Sequence, residues 1–387
     1  MFQYKCLNPI AKVGLDRLPE SFHEVEDIQE AQAVLVRSAS MHDLPDLPKL
    51  CAVGRAGAGT NNIPVDEYAR KGIVVFNAPG ANANAVKELV LTGMLMASRD
   101  LIGGSEWVIE NQEDELITKH MEKAKKKFAG TEIKGKNLGV IGLGAIGVLV
   151  SNAAYDLGME VYGYDPYLSV QSALSLNRNV HHVTKVEEIY EKCDFITVHV
   201  PLLDGTKNML DADSFAMMKD GVTILNFARN GLVDEDALKE AIASDKVHCY
   251  VTDFPTPKTA GQEGVIAFPH LGASTEESED NCAIMVADEV TDYLVNGNIS
   301  HSVNYPSMDM GVCHTRGRVA VMYNNIPNML TQFTGIFARE DVNIHEMSNK
   351  SKGAISYAVF DLDSQVTEET TAKIAAIDGV YRVRIIK

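Results

Sequence analysis

The chain has 387 residues, 45% of them hydrophobic and 23% charged, a balance that excludes a disordered or low-complexity polymer and suits two or three packed domains. Its 53 Asp and Glu against 35 Lys and Arg leave a formal charge of −18, which argues against nucleic acid as a partner. An anionic substrate would need arginines gathered locally against that field. The six cysteines stand apart with no CxxC pair, so neither a disulfide framework nor a metal site is expected, and a reducing, cytoplasmic compartment fits. MFQYKCLNPIAKVG lacks the apolar core of a signal peptide. Asn137–Tyr155 carries no charge over nineteen residues, but glycines at 139, 142, 144 and 147 argue against a membrane span.

In chain order, AVLVRS (33–38), LCAVGR (50–55) and IVVFNAP (73–79) read as buried strands, with a helix-sized piece at Val65–Arg70. Such alternation predicts a parallel sheet covered by helices. A long helical pattern runs through NANAVKELVLTGMLMASRDL, and a second helix is expected from Ser105 to Phe128. A second α/β block opens at Lys136 with strand NLGVIGLG, helix AIGVLVSNAAYDLG and strand MEVYGYD. CDFITVHVP, VTILNFAR and VIAFPH supply three more strands, read as buried, before a long helix over Glu276–Asn296. NGNISHSVNYPSMDMG has the composition of a linker. The remainder reads β-α-β-β-α-β, the order of a ferredoxin-like module.

Gly142-Leu143-Gly144-Ala145-Ile146-Gly147 is a GxGxxG in the right setting, closing an apolar strand and opening a helix. Gly142 and Gly144 allow the turn and the approach of a pyrophosphate, Gly147 the packing of helix on strand, and the helix N-terminus offers N–H groups to the phosphates. Asp165, 23 residues after Gly142, ends the next strand where a carboxylate takes the adenosine ribose hydroxyls. A carboxylate there repels a 2′-phosphate, so the cofactor expected is NAD. Hydride transfer between a hydroxyl-bearing carbon and NAD also needs a base for the hydroxyl proton and a cation to polarise the oxygen. Arg229 follows a buried strand and His270 another, at the strand ends where open α/β sheets carry their sites.

GRAGAGTNNI (54–63), the glycine fingerprint with Asp165, HVPL (199–202), NFARNGLVDEDAL (226–238) and FPHLGAST (268–275) resemble the D-2-hydroxyacid dehydrogenase family, in its order, over roughly the first 300 residues. The C-terminal segment resembles an ACT regulatory domain. The resemblance implies two Rossmann-like, doubly wound parallel-sheet domains flanking a cleft, plus a ferredoxin-like (ACT) α+β domain. The domains implied are residues 1–97 with a return helix 288–305 for substrate, 98–287 for NAD, a linker 306–315, and the ACT-like 316–387. It implies Arg229 as catalytic cation and His270 as acid/base, both also lining the cofactor site. Ala58, Ala145, Ile146, Val200, Pro201, Phe227, Ala228, Gly272 and Ala273 match further cofactor-lining positions, and Asp253 the aspartate facing the nicotinamide carboxamide. Arg37, in VRSAS, and Arg55, in GRAGAG, match arginines that with Arg229 hold the substrate, and they point to 3-phospho-D-glycerate. A homodimer or homotetramer, with the helices of 82–128 at an interface, and an amino-acid effector at the ACT-like domain are also implied. Two rivals are a dehydrogenase of hydroxypyruvate, glyoxylate or D-lactate type, and a non-enzymatic NAD-sensing protein of the same fold.

Three departures stand out. The stretch Asp253-Phe254-Pro255-Thr256-Pro257-Lys258 lacks the family's histidine-orienting glutamate, and Lys258 falls near the vacant place. ARNG puts Asn230 where a glycine is usual. In the ACT-like domain, Asn325-Ile326-Pro327-Asn328 and Tyr323 differ from the effector-sensing pattern.

Overall fold

The computed structural model describes the whole chain, Met1–Lys387. Its first strands, β1 (Phe2–Cys6), β2 (Phe22–Glu24), β3 (Ala33–Val36), β4 (Ala52–Arg55) and β5 (Val74–Asn77), form a parallel sheet in the order β2-β1-β3-β4-β5. Helices α1 (Lys12–Leu15) and α2 (Val65–Arg70) lie in its crossovers. β3 is buried at all four positions, as expected of a central parallel strand, whereas β1 and β2 are edge-side, short and partly polar, and the hydrophobic pattern does not reveal them.

α3 (Ala83–Ser98) follows. The single helix expected over 105–128 is instead two, α4 (Leu101–Glu110) and α5 (Ile117–Ala124). Asn111 ends α4, and Asp114 then accepts a hydrogen bond from the Leu116 amide, so side chains satisfy backbone donors in place of a continuous helix. The next sheet contains β6 (Asn137–Ile141), β7 (Glu160–Tyr164), β8 (His181–Val183), β9 (Phe195–Val198), β10 (Val222–Asn226), β11 (Val247–Thr252) and β12 (Val265–Ala267). The intervening helices are α6 (Ala145–Asp156), α7 (Val170–Ser175), α8 (Glu187–Lys192), α9 (Ala212–Met217) and α10 (Glu235–Ala243). The strand order is β12-β11-β10-β9-β6-β7-β8, so the winding reverses between β6 and β9, the place where doubly wound sheets bind nucleotides. The sequence pattern does not mark β11, because His248 interrupts its apolar run, although five of its six residues are buried. β12, expected to be buried, is a three-residue edge strand with partly exposed side chains.

α11 (Glu276–Asn296) leads to β13 (Gly317–Asn324), α12 (Met329–Arg339), β14 (Ile344–Lys352), β15 (Ile355–Leu362), α13 (Glu368–Ala375) and β16 (Val380–Ile385). The sheet is antiparallel, ordered β14-β15-β13-β16, as a ferredoxin-like module requires. Alternation sorts its faces: Val319, Val321, Phe360 and Leu362 join Phe333, Phe337 and Ile374 of α12 and α13 in one core. Ala320, Met322, Tyr357 and Val359 point the other way, into a core shared with Val286, Val290 and Tyr293 of α11 and with Leu35, Val74 and Phe76 of the N-terminal sheet.

Contacts divide the chain into Met1–Asn82 with Glu276–Lys387, and Ala83–Thr275. The chain therefore crosses between units at 82/83 and 275/276, where the sequence placed the crossings at 97/98 and 287/288. The expected linker is part of the first unit's core. Tyr305 and Met308 are each 1% exposed, and Ile299 pairs with Met308. Asn304 accepts from the Val75 amide and donates to the Ile73 carbonyl, completing the edge of β5. Its Pro, Ser and Gly residues make turns within a packed segment. No helix is long and apolar enough to cross a membrane.

Candidate active site

In the unit Ala83–Thr275, β6 runs into the glycine turn. Gly142 has φ +95, and a Cβ there would lie 2.6 Å from the His199 carbonyl oxygen. A Cβ on Gly147 would fall 1.9 Å from the Gly142 carbonyl oxygen, so α6 starts in direct contact with the turn. Gly144 differs: it is the N-cap of α6, without a side-chain hydrogen bond, and a Cβ on it would meet nothing within 4 Å. The helix thus opens onto free space with its first N–H groups uncapped by any side chain, which suits a pyrophosphate. Asp165 accepts from the Leu143 amide at 2.9 Å and the Tyr167 amide at 2.8 Å. The carboxylate is thereby fixed beside the turn with lone pairs remaining for hydroxyl donors. Val200 lies against Gly142, and Pro201 follows it on the exposed loop after β9.

His199 was not singled out in the sequence as a supporting residue. It donates its backbone N–H to the Ile141 carbonyl at 2.7 Å and pairs Nε2 with Thr197 Oγ1 at 3.0 Å. Burial pushes its imidazole down to about 3, so it is a neutral brace for the turn.

At the end of β10, Asn226 holds the loop that carries Arg229. Its Nδ2 donates to the Arg229 carbonyl at 2.9 Å and its Oδ1 accepts from the Ala228 amide at 3.2 Å. Thr252 Oγ1 donates to the Asn226 carbonyl at 2.9 Å, so β11 braces the same corner. Phe227 is buried against Gly93 of α3, while Ala228 and Arg229 turn outward. The left-handed residue of the ARNG loop is Gly231, at φ +84, so Asn230 replaces a glycine at no backbone cost.

Asp253 follows β11 and is 1% exposed. Its Oδ2 accepts from the Gly272 amide at 2.8 Å, its backbone carbonyl accepts from the His270 amide at 2.9 Å, and Oδ1 is buried with no donor. Burial raises its pKa, while the Gly272 amide and the charges of His270 and Arg229 oppose the rise. The His270 amide on the Asp253 carbonyl, and Arg229 on the Asn226 corner that neighbouring Thr252 braces, bring Arg229, Asp253 and His270 together, with Gly272 and Ala273 on the adjoining turn. An amide N–H donor, such as a nicotinamide carboxamide, would satisfy the orphaned Oδ1. His270 has φ +43, and its ring packs on Phe254 at 4.7 Å between centroids, not on a carboxylate. Lys258 does not fill the place of the absent glutamate: its ammonium lies 2.7 Å from both oxygens of Asp236.

In the unit Met1–Asn82 with Glu276–Lys387, Arg37 follows β3 and Arg55 ends β4, whose pairing sets Val36 opposite Arg55. Asn8 Oδ1 accepts from the amides of Arg37, Ser38 and Ala39 at 2.9–3.1 Å and so fixes the first arginine's turn. The Ala58 carbonyl accepts from Asn77 Nδ2 at 2.6 Å.

Residues 91–272 match the model of the D-isomer specific 2-hydroxyacid dehydrogenase NAD-binding domain. The D-3-phosphoglycerate dehydrogenase of Haemophilus influenzae is 33% identical over 351 residues, covering 88% of this chain and 82% of its own. The chain belongs to the D-2-hydroxyacid dehydrogenase family. The Escherichia coli enzyme named D-3-phosphoglycerate dehydrogenase is 32% identical over 93% of this chain and 88% of its own. An NAD+-bound 3-phosphoglycerate dehydrogenase structure from Entamoeba histolytica superposes with TM-score 0.60 and 27% identity, covering 78% of this chain and 98% of that one. The matched domain is an NAD-binding one and the Entamoeba structure holds NAD+, so the cofactor is NAD. The open helix N-terminus, Asp165 and the orphaned oxygen of Asp253 fit it.

Proposed function

We propose that the chain oxidises 3-phospho-D-glycerate to 3-phosphohydroxypyruvate, the first step of L-serine biosynthesis. The observation that carries this reading is the convergence of Arg229 and His270 on the buried Asp253, in a chain whose relatives of that name align over most of its length. His270 takes the C2 hydroxyl proton on its ring nitrogen as the hydroxyl becomes a carbonyl, and returns it in the reverse direction. The Arg229 guanidinium holds the carboxylate and stabilises the charge that develops on the C2 oxygen. NAD, when bound, accepts the hydride leaving C2. Asp253 orients the nicotinamide carboxamide, and Asp165 selects NAD over NADP through the repulsion a 2′-phosphate would meet. Arg37 and Arg55 take the substrate phosphate. The remaining cofactor contacts fall to Ala58, Gly142, Gly144, Ala145, Ile146, Gly147, Val200, Pro201, Phe227, Ala228, Gly272 and Ala273.

The same reading assigns a cytoplasmic location and a homodimer or homotetramer. Leu101, Val108, Ile109, Leu116 and Met121 are exposed apolar residues on and beside α4 and α5, which supports an interface there. It also assigns any amino-acid effector to the C-terminal ferredoxin-like module. The test is NADH formation with a panel of 3-phospho-D-glycerate, D-glycerate, glycolate and D-lactate. The highest kcat/KM is expected for the phosphorylated acid. A preference for an unphosphorylated one would overturn the substrate assignment.

A further inference from the structure

The Arg37 guanidinium forms an ion pair with a carboxylate of its own chain. Its Nη2 lies 2.7 Å from Oε1 of Glu279, and the two side chains are 40% and 44% exposed. The first turn of α11 contains Glu276, Glu277 and Glu279, and of these Glu279 pairs with Arg37. One turn further on, the buried Cys282 thiol is pushed up chiefly by burial, lowered by Arg55 and Arg37, and raised by Glu279. Arg37 and Glu279 thus pair at the start of α11, and β4, which ends in Arg55, packs against the same helix through Gly54, Val286 and Val290. The pair is not what docks the helix, since Val286, Val290 and Tyr293 are each at most 1% exposed in the core beneath it. The contact is also easily opened: an exposed ion pair is weakly held, whereas a phosphate monoester carries a charge of roughly −1.5 to −2 and can engage an arginine with two oxygens.

We propose that Glu279 competes with the substrate phosphate for Arg37, its carboxylate holding the guanidinium until a phosphate displaces it. This rests on the reading of Arg37 as a ligand of the substrate phosphate. The carboxylate keeps the guanidinium in place beside the backbone turn that Asn8 fixes, and sets a threshold that an incoming anion must exceed. A phosphorylated acid breaks the pair and gains Arg37, whereas an unphosphorylated acid leaves it closed. Part of the phosphate's binding energy is spent on opening the pair, and the cost appears in KM for the phosphorylated substrate.

The experiment compares the parent enzyme with Glu279→Gln, Arg37→Ala and the double variant. It measures KM for 3-phospho-D-glycerate and for D-glycerate, and the Kd of inorganic phosphate by calorimetry. Glutamine keeps the size and polarity of the side chain and removes its charge. In Glu279→Gln, the phosphate Kd and the KM for 3-phospho-D-glycerate should both fall by about two- to fivefold, while the KM for D-glycerate moves less than about twofold. In the Arg37→Ala background the same substitution should give no gain in phosphate affinity. Unchanged phosphate affinity in Glu279→Gln, or equal shifts for both acids, overturns the proposal. If the parent fails to oxidise 3-phospho-D-glycerate while Glu279→Gln still tightens phosphate through Arg37, the substrate assignment fails and the competition stands.

Discussion

Glu289 on α11 is 5% exposed, with Oε1 2.7 Å from Nδ1 of His301 and Oε2 buried without a donor. Burial, with a smaller contribution from neighbouring Asp288, pushes its carboxyl up to about 8. At neutral pH the folded chain therefore keeps Glu289 protonated, whereas an unfolded chain ionises it near the ordinary value of 4.5. The sign follows from linkage. The folded state binds the extra proton, so this group's stabilisation is complete below about 4.5 and is lost as pH rises towards about 8. Glu289→Gln cannot ionise, and above pH ~8 it should be more stable than the parent by about 1–3 kcal/mol, the difference shrinking on acidification. Thermal melts of the two chains across this range check it, and parallel curves would refute it. At the same scale, Arg229 and His270 are legible in the sequence because each sits in a local motif after a strand. Asn226, Asn8 and Glu279 are not. Their roles come from contacts with backbone or side chains that folding brings beside them, and an asparagine or glutamate carries no local sign of that.

The turn between β6 and α6 shows how two glycines of one motif do different work. A side chain on Gly147 would strike the backbone of Gly142, while one on Gly144 would project into open space at the mouth of α6. Gly147→Ala should therefore destabilise the unit Ala83–Thr275 by about 2–4 kcal/mol and lower its Tm. Gly144→Ala should cost less than about 1 kcal/mol, as an N-cap exchange does, yet raise KM for NAD about tenfold or more by occupying the cofactor's approach. Similar losses of Tm in both variants would contradict this division. The strand–turn–helix element was readable because its period and its glycines agree. β11 and the break between α4 and α5 were harder to read, because a polar residue within a buried strand and a helix ended by Asn111 and Asp114 depart from simple periodicity.

For the whole chain, the C-terminal module is built into the first unit. Arg384 donates to the Tyr293 and Leu294 carbonyls at 3.2 and 3.1 Å, at the last turns of α11, and its guanidinium lies 4.4 Å from the centre of the Tyr293 ring. Arg382 donates to the Leu50 carbonyl, and Tyr357 donates its hydroxyl proton to the Gly297 carbonyl at 2.7 Å. Fully buried Arg318 ties Asp361 to the carbonyls of Asn296, Met310 and Gly311. The element order of the module was legible. Its use of a second sheet face was not, because Ala320, Met322 and Val359 are residues that would also suit an exposed or self-associating sheet. Removing Arg316–Lys387 should leave the first unit without a cooperative melt, and Arg384→Ala should lower stability by about 2–3 kcal/mol. A truncated chain that melts cooperatively at the parent's Tm would show the module to be an appendage.

The core that holds Leu35 and Phe76 also holds Tyr357 and Val359, and Arg382 reaches back across 332 residues to Leu50. During synthesis these partners leave the ribosome long after the strands they cover. The segment Ala83–Thr275 is uninterrupted and has all its strands once it has emerged, so it is able to fold while the remainder is still being made. Strands β3–β5, although translated earlier, must wait for β13 and β15 before the core they share can close. Their exposed apolar side chains make this interval the stage at which the nascent chain is most open to aggregation, and the one at which a chaperone has most to do.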